Sequence, residues 1–424
     1  LPFTRAFELL AGAVLACCWS RAGPSGAASH WRSGIGVALI AVAAVMLDSH
    51  RAFPGWWAAL PVAGTVLLLS APVGWLNRVV LSSPPLVGIG LVSYPLYLWH
   101  WPLLVMFATI KFNPLTLLER ELILLASGLL AWATYRFVEI PFRFGVPSPR
   151  KAIKLGAGMA LVAAAGGIVV WGRGLDFRMP AEIRAMASVP TESFKWRVHE
   201  CLLDLSHETS FAADCVEPDR RPLLLIWGDS TAGALLPGLR KAQQTRHFGI
   251  AQLTSSSCIP ALNADIVSTP NCRAMNDKIL ALVSEIEPDI VLLHGTWEKH
   301  LENVAETVVA LKQETRARVV VLGGVPAWRR GLPAEVLRHF MLHRALIPQR
   351  STRAATSSTY DATMRARLEP LGAEFISASD ALCNAEGCLT RTGEGRGMIV
   401  TFDDSHLTPS GAREVLRVAG PSLL

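Results

Sequence analysis

The first 172 residues are long apolar runs separated by short polar joints, and this pattern restricts the fold more than any other feature of the chain. Crossing a hydrocarbon core takes about twenty predominantly apolar residues. Six stretches reach or approach that length: residues 6–20, 33–48, 56–73, 86–110, 119–138 and 153–172. A soluble helix needs a polar face, and residues 34–47 and 153–171 have almost none. Six membrane spans are therefore expected. Residues 173–424 read instead as an ordinary soluble domain. The average of these two halves is a chain 51% hydrophobic and only 17% charged, where a soluble protein carries about 25% charge.

Lys and Arg in short loops set the orientation of such spans, because they are retained on the cytoplasmic side. With residues 173–424 placed outside, the cytoplasmic loops hold Arg21, Arg32, Arg78, Arg136, Arg143, Arg150, Lys151 and Lys154, against Arg51, Lys111 and Arg120 outside: eight against three. The soluble half is therefore expected in the periplasm, on a multi-pass protein of the inner membrane. The net charge of +6 belongs largely to these loops and does not indicate nucleic-acid binding; an anionic polymer stays open as a partner. The first apolar run follows Leu1 after a few residues, with no basic n-region or small-residue cleavage site before it. The chain is expected to start inside a longer protein.

Three patches in the membrane half are unusually polar or aromatic. Residues 2–12 bring Arg5 and Glu8 to the start of a span; residues 93–102 place Tyr94, Tyr97, Trp99, His100 and Trp101 within one; residues 136–143 carry Arg136, Glu139 and Arg143 at a cytoplasmic end. Polar groups in lipid are costly and often functional. The alternative is an interfacial aromatic belt, with His100 capping a neighbouring helix. In this order the three patches resemble the C-terminal signatures of the acyltransferase-3 family of membrane O-acyltransferases, over residues 1–145. The resemblance implies acylation of an envelope polysaccharide with acyl groups drawn from cytoplasmic acyl-CoA, acetyl-CoA foremost, and makes His100 and Glu139 candidate site residues. The family's essential Arg and His pair lies in earlier spans, which this sequence is expected to lack. Residues 146–172 form one more span behind a basic loop.

Residues 173–221 read as a periplasmic joint. From residue 222 apolar strand-type runs at 223–227, 250–253, 290–294, 319–322 and 373–376 alternate with helical stretches at about 232–244, 273–286, 302–315 and 359–371. Such alternation implies a parallel sheet with helices on both faces and a site at the C-terminal strand ends. The first strand runs into Gly228-Asp229-Ser230-Thr231. A serine at a strand-to-helix turn exposes its Oγ beside backbone N–H groups able to receive an oxyanion, although the tripeptide alone is equally a loop with an N-cap. Near the chain end Asp403 stands three residues before His406. A carboxylate so placed can hold Nδ1–H, leaving the other ring nitrogen to take a proton from serine. Asp404 is the adjacent rival.

Together these motifs resemble the SGNH hydrolase superfamily over residues 222–420, which implies a flavodoxin-like α/β three-layer domain with Ser230 as nucleophile, His406 as general base and Asp403 as its orienting acid. The family's oxyanion glycine after the second strand has no counterpart in residues 253–258, where Ser256 or a neighbour can serve; at the Gly-x-Asn-Asp block the chain has Gly295, Thr296 and then Trp297, whose indole N–H is the candidate donor. This departure resembles SGNH domains fused to acyltransferase-3 domains.

Cys17 and Cys18 lie in a span, as packing residues. The other six cysteines fall in sequence pairs, Cys201/Cys215, Cys258/Cys272 and Cys383/Cys388, for which sequential disulfides are the simplest pairing. No Cys-x-x-Cys spacing supports zinc, and neither a metal nor a bound cofactor is expected. Arg329, Arg330, Arg338, Arg344, Arg350 and Arg353 crowd a stretch with Glu335 its only acid, as an anionic-ligand patch or a solvated insertion; His339 and His343 in it read as surface. The resulting expectation is an O-acetyltransferase of an envelope polysaccharide, embedded in lipid. A periplasmic acetylesterase and a non-catalytic glycan-binding domain are the rivals.

Overall fold

The computed structural model describes residues 6–18, 26–47, 55–111, 114–143, 148–189, 194, 196–297, 299–393 and 398–423. It divides into two compact units, Leu1–Met159 and Ala160–Leu424.

Among the described residues, four helices are long and apolar enough to cross a membrane: Gly26–Met46, Pro84–Lys111, Leu117–Arg143 and Pro149–Trp171. Two more apolar helices, Ala6–Cys17 and Trp56–Leu69, are shorter. The stretch expected over 56–73 stops at Leu69 because Pro72 follows and has no backbone N–H to continue the ladder. Within the first unit, Gly26–Met46 lies directly against Trp56–Leu69. A Cβ on Gly36 would sit 2.8 Å from the Gly64 carbonyl oxygen, and one on Gly64 2.7 Å from that of Gly36. Apolar helices in lipid gain from such small-residue contacts, which let dispersion act between backbones.

Among the described residues the second unit has nine strands: β1 Leu202–Leu203, β2 Leu223–Gly228, β3 Gly249–Ser255, β4 Ile290–His294, β5 Arg318–Leu322, β6 Arg350–Ser351, β7 Glu374–Ile376, β8 Cys383–Asn384 and β9 Gly387–Leu389. Six form one parallel sheet in the order β1-β3-β2-β4-β5-β7. The rest form a small antiparallel sheet, β6-β9-β8. Without β1 the large sheet has the flavodoxin-type order, whose ligands bind where the connection reverses direction. That switch lies between β2 and β4.

The continuous apolar runs follow from burial on both faces. Leu224, Ile226, Leu292 and Val320 face one core, and Leu225, Trp227, Leu293 and Val321 the other. The Trp227 indole donates to Asn276 Oδ1 at 3.0 Å, and Asn276 Nδ2 donates on to the Ile259 and Ala261 carbonyls at 2.9 and 3.2 Å. This buried chain of bonds fixes the loop after β3.

The three sequential cysteine pairs are disulfides: Cys201–Cys215, Cys258–Cys272 and Cys383–Cys388. Cys17 is a free, exposed thiol on its helix. Segment 173–221 is more than a joint, since it supplies β1 to the sheet edge. The arginine-rich stretch is in good part structural. It forms the helix Leu332–His343, in which buried Glu335 pairs with Arg353 at 2.7 Å and Arg338 at 3.7 Å. Arg350 donates to the Leu382 and Gly387 carbonyls, both at 3.0 Å.

Candidate active site

β2 ends on Gly228 because the neighbouring strand leaves no room for a side chain: a Cβ there would lie 1.7 Å from the His294 carbonyl oxygen. The next residue, Asp229, is 3% exposed and caps the short helix Ser230–Gly233. Its Oδ1 accepts from the Thr231 N–H at 2.8 Å and its Oδ2 from the Thr296 N–H at 2.9 Å. One buried carboxylate thus ties the turn after β2 to the turn after β4 and holds Ser230 between them.

His406 arrives from the loop before the closing helix Pro409–Leu423. Its Nε2 lies 2.8 Å from Ser230 Oγ, and its Nδ1 lies 2.7 Å from Asp403 Oδ2. The other carboxylate oxygen accepts from the backbone N–H of His406 at 2.7 Å and of Ser405 at 3.0 Å. A carboxylate only accepts, so Nδ1 carries the proton and Nε2 offers its lone pair to serine. Burial alone would lower the His406 pKa. The Asp403 hydrogen bond and charge, with the charges of Asp229 and Asp404, outweigh burial and hold it above the ordinary histidine value. Burial likewise raises Asp403, and the His406 contact more than reverses this. Among the described residues the Asp404 side chain accepts only from the Ser405 hydroxyl, at 3.3 Å. Asp403, Asp404 and His406 bring possible metal-ligand atoms within 4.8 Å of one another, but both imidazole nitrogens are already engaged.

Two aromatic rings pack on the histidine and a third backs them. Trp196 and Phe402 stack on it with centroids 5.7 and 5.6 Å away and interplanar angles of 29° and 27°. Phe194 closes the cluster against Phe402 at 5.2 Å. Trp196 comes from the segment ahead of β1, and its carbonyl accepts from Gln252 Nε2 at 3.0 Å. A cavity of about 330 Å³ is lined by Thr231 and Ser405, the chain neighbours of Ser230 and His406, and by His294, Trp297 and Tyr360.

Residues 200–420 match the model of the SGNH domain that is fused to AT3 domains. The chain belongs to this family. It is 27% identical over 152 residues to the peptidoglycan O-acetyltransferase OatA of Listeria monocytogenes serovar 1/2a, covering 33% of this chain and 24% of that protein. It is 36% identical over 66 residues to the putative membrane-bound transacylase BcsY of Komagataeibacter xylinus, covering 16% of this chain and 17% of that one. The chain thus spans a quarter or less of the curated relatives it matches. Among solved structures it is similar to the periplasmic domain of a lipopolysaccharide acetyltransferase of Salmonella ser. Paratyphi A, at 24% identity and a TM-score of 0.46, over 49% of this chain and 85% of that one.

Within the SGNH domain, Ser230, His406 and Asp403 come together across 176 residues of sequence. The two oxyanion candidates require correction. The Ser256 backbone N–H donates to the Leu203 carbonyl at 2.8 Å, as part of the pairing of β1 with β3. The Trp297 indole is 5% exposed and donates to the Leu322 carbonyl at 2.7 Å. Both donors serve the fold. In the other unit, His100 Nδ1 meets the Leu96 carbonyl at 3.0 Å in its own helix, and Glu139 pairs with Arg143 at 2.7 Å. No contact joins these two among the described residues. Sequence reasoning passed over Asp229, Trp196 and His294. Asp229 was legible as a capping residue within Gly-Asp-Ser; the others carry no local signal, because their roles depend on contacts distant in sequence.

Proposed function

We propose that the protein is a membrane O-acyltransferase that acetylates a cell-envelope polysaccharide through an acyl-serine at Ser230. Residues 1–145 are read as the C-terminal part of an acyltransferase-3 domain, residues 146–172 as a further span, 173–221 as a periplasmic joint whose end already contributes β1 to the sheet, and 222–424 as the body of the SGNH domain. The membrane half passes acyl groups from cytoplasmic acetyl-CoA outward. The eight-to-three excess of basic residues supports a periplasmic site on the inner membrane. The names of the similar proteins, an O-acetyltransferase and a transacylase, favour transfer over hydrolysis.

The single observation that carries the reading is the unbroken relay Ser230–His406–Asp403. His406 Nε2 takes the Ser230 proton as Oγ attacks the acyl carbon. The tetrahedral oxyanion collapses, the bond to the donor breaks, and the departing group takes the proton from Nε2. A sugar hydroxyl then gives its proton to Nε2 and attacks acyl-Ser230, and collapse returns that proton to Oγ. Asp403 holds the tautomer throughout and stabilises the transient imidazolium. The Ser230 N–H stands at the first helical position, where no intrahelical acceptor exists, and we assign it as an oxyanion donor.

The test is NMR of envelope glycan from cells producing the full-length protein or its Ser230→Ala variant. Loss of O-acetyl signals at unchanged expression is expected. Full acetylation by the variant would leave the soluble half with a binding role only.

A further inference from the structure

One residue in the wall of the cavity lined by Thr231 and Ser405 holds a buried, unpartnered hydrogen-bond acceptor. His294 is 1% exposed and stands at the C-terminal end of β4, lining the cavity. Its Nδ1 lies 3.0 Å from the Leu322 carbonyl oxygen, which cannot donate, so Nδ1 bears the proton. Burial lowers the pKa of this imidazole, and the ring is neutral. Its Nε2 therefore carries a bare lone pair, is buried, and has no protein partner. Buried polar groups without partners are rare in folded proteins and call for an explanation.

The remaining lining narrows the ligand class. Among the described residues no Lys or Arg lines the cavity, and the one ionised side chain there is the Asp404 carboxylate at the rim. An anionic sugar or a phosphoryl group would meet repulsion with no compensating cation. Hydroxyls of Thr296, Ser357 and Ser405 and the rings of Trp297 and Tyr360 supply polar and apolar contacts side by side, the mixture that holds a polyhydroxylated ring.

We propose that this cavity is the acceptor subsite, that it takes an uncharged sugar residue, and that His294 Nε2 accepts a hydrogen bond from one of its hydroxyls. The inference rests on the acyl-serine reading above and adds to it the class of acceptor and a residue that selects it. The hydroxyl bound by His294 is not the one acylated. A second hydroxyl of the same sugar gives its proton to His406 Nε2, attacks the acyl carbon and leaves as the ester, while Ser230 Oγ recovers the proton. Water competes for the same acyl-Ser230, releasing acetate. The ratio of transfer to hydrolysis therefore cancels any change in how fast Ser230 is acylated and reports acceptor binding.

The experiment uses the full-length protein in detergent with 4-nitrophenyl acetate as acyl donor. The acceptors are the neutral trisaccharides chitotriose, cellotriose, maltotriose and mannotriose, with trigalacturonic acid as the anionic comparison. At least one neutral trisaccharide should be acetylated in clear preference to the anionic one. His294→Phe should lower the transfer-to-hydrolysis ratio by about threefold to tenfold, the range for one hydrogen bond between neutral partners. The Leu322 carbonyl is not orphaned in that variant, because the Trp297 indole also donates to it. His294→Gln, which restores an acceptor, should recover part of the loss. An unchanged ratio in His294→Phe, equal use of trigalacturonic acid, or transfer to none of the neutral trisaccharides overturns the proposal. Should His294→Phe lose its cooperative thermal transition, the wild-type preference between neutral and anionic acceptors decides. Transfer and hydrolysis both persisting in Ser230→Ala would instead overturn the acyl-serine reading beneath it.

Discussion

Replacing Asp403 with asparagine separates what this carboxylate does for the loop from what it does for the histidine. Oδ1 accepts from the backbone N–H groups of Ser405 and His406, and an asparagine carbonyl can keep both bonds. Oδ2 faces His406 Nδ1 at 2.7 Å. An amide NH₂ in its place can only donate, so Nδ1 must become the acceptor and the proton moves to Nε2. Nε2–H then points at Ser230 Oγ and can no longer take its proton. The loop survives and the base is lost. In serine proteases this change costs about 10⁴-fold in rate, or about 5 kcal/mol of barrier, and a loss of that order is expected here. The assay is the burst of 4-nitrophenolate from 4-nitrophenyl acetate with the full-length protein. The base works only when neutral, so acylation should fall as pH drops through the raised His406 pKa. In Asp403→Asn this acidic limb should shift to lower pH. Asp404→Asn, whose side chain touches only the Ser405 hydroxyl among the described residues, should stay within about threefold of wild type, the scale of an exposed polar contact. A burst rate in Asp403→Asn within about tenfold of wild type, only 1.4 kcal/mol of barrier, would refute the tautomer argument.

Three further outcomes are expected. Non-reducing peptide mapping should recover the three sequential disulfides, and loss of Cys201–Cys215 or Cys258–Cys272, each bridging 14 positions, should cost about 3 kcal/mol of stability on the chain-entropy model; free thiols at Cys258 and Cys272 in protein from an oxidising compartment would contradict the pairing. Trp196→Ala removes three ring contacts, to His406, Phe402 and Phe194, and the one on His406 is worth about 0.5–1.5 kcal/mol, so acylation should slow by up to about tenfold and Trp196→Phe should recover most of it; an unchanged rate would mean that the stacking has no part in holding the base. An impermeant thiol reagent applied to spheroplasts should label Asp219→Cys and spare Ser148→Cys, and the reverse pattern would overturn the orientation drawn from the loop charges.

The fold was legible where burial is two-sided or a motif is compact. β2, β4 and β5 are unbroken apolar runs because both faces of the sheet are covered, and the turn chemistry of Gly228 and Asp229 sits within three residues of sequence. The Asp403–His406 spacing was legible for the same local reason. The oxyanion candidates were misjudged because their partners lie elsewhere. β1 is two residues long, too short to leave a periodic signal, yet it captures the Ser256 N–H. Trp297 looked like a substitute donor, but its indole is turned into the sheet toward Leu322. The arginine cluster looked unbalanced because one buried acid, Glu335, can serve two of its members, which a count of charges does not reveal. Trp196 stacks on a histidine more than two hundred positions away, a contact no window of sequence contains.

The central claim is a covalent acyl group on Ser230, and the most direct measurement is mass spectrometry of acid-quenched full-length protein after exposure to 4-nitrophenyl acetate. The account predicts an acetyl adduct on the peptide carrying Ser230, accumulating in wild type, discharged on addition of an acceptor sugar, and missing from Ser230→Ala and His406→Ala. An adduct on a different residue, or wild-type protein that transfers acetyl groups with Ser230 never modified, would contradict it.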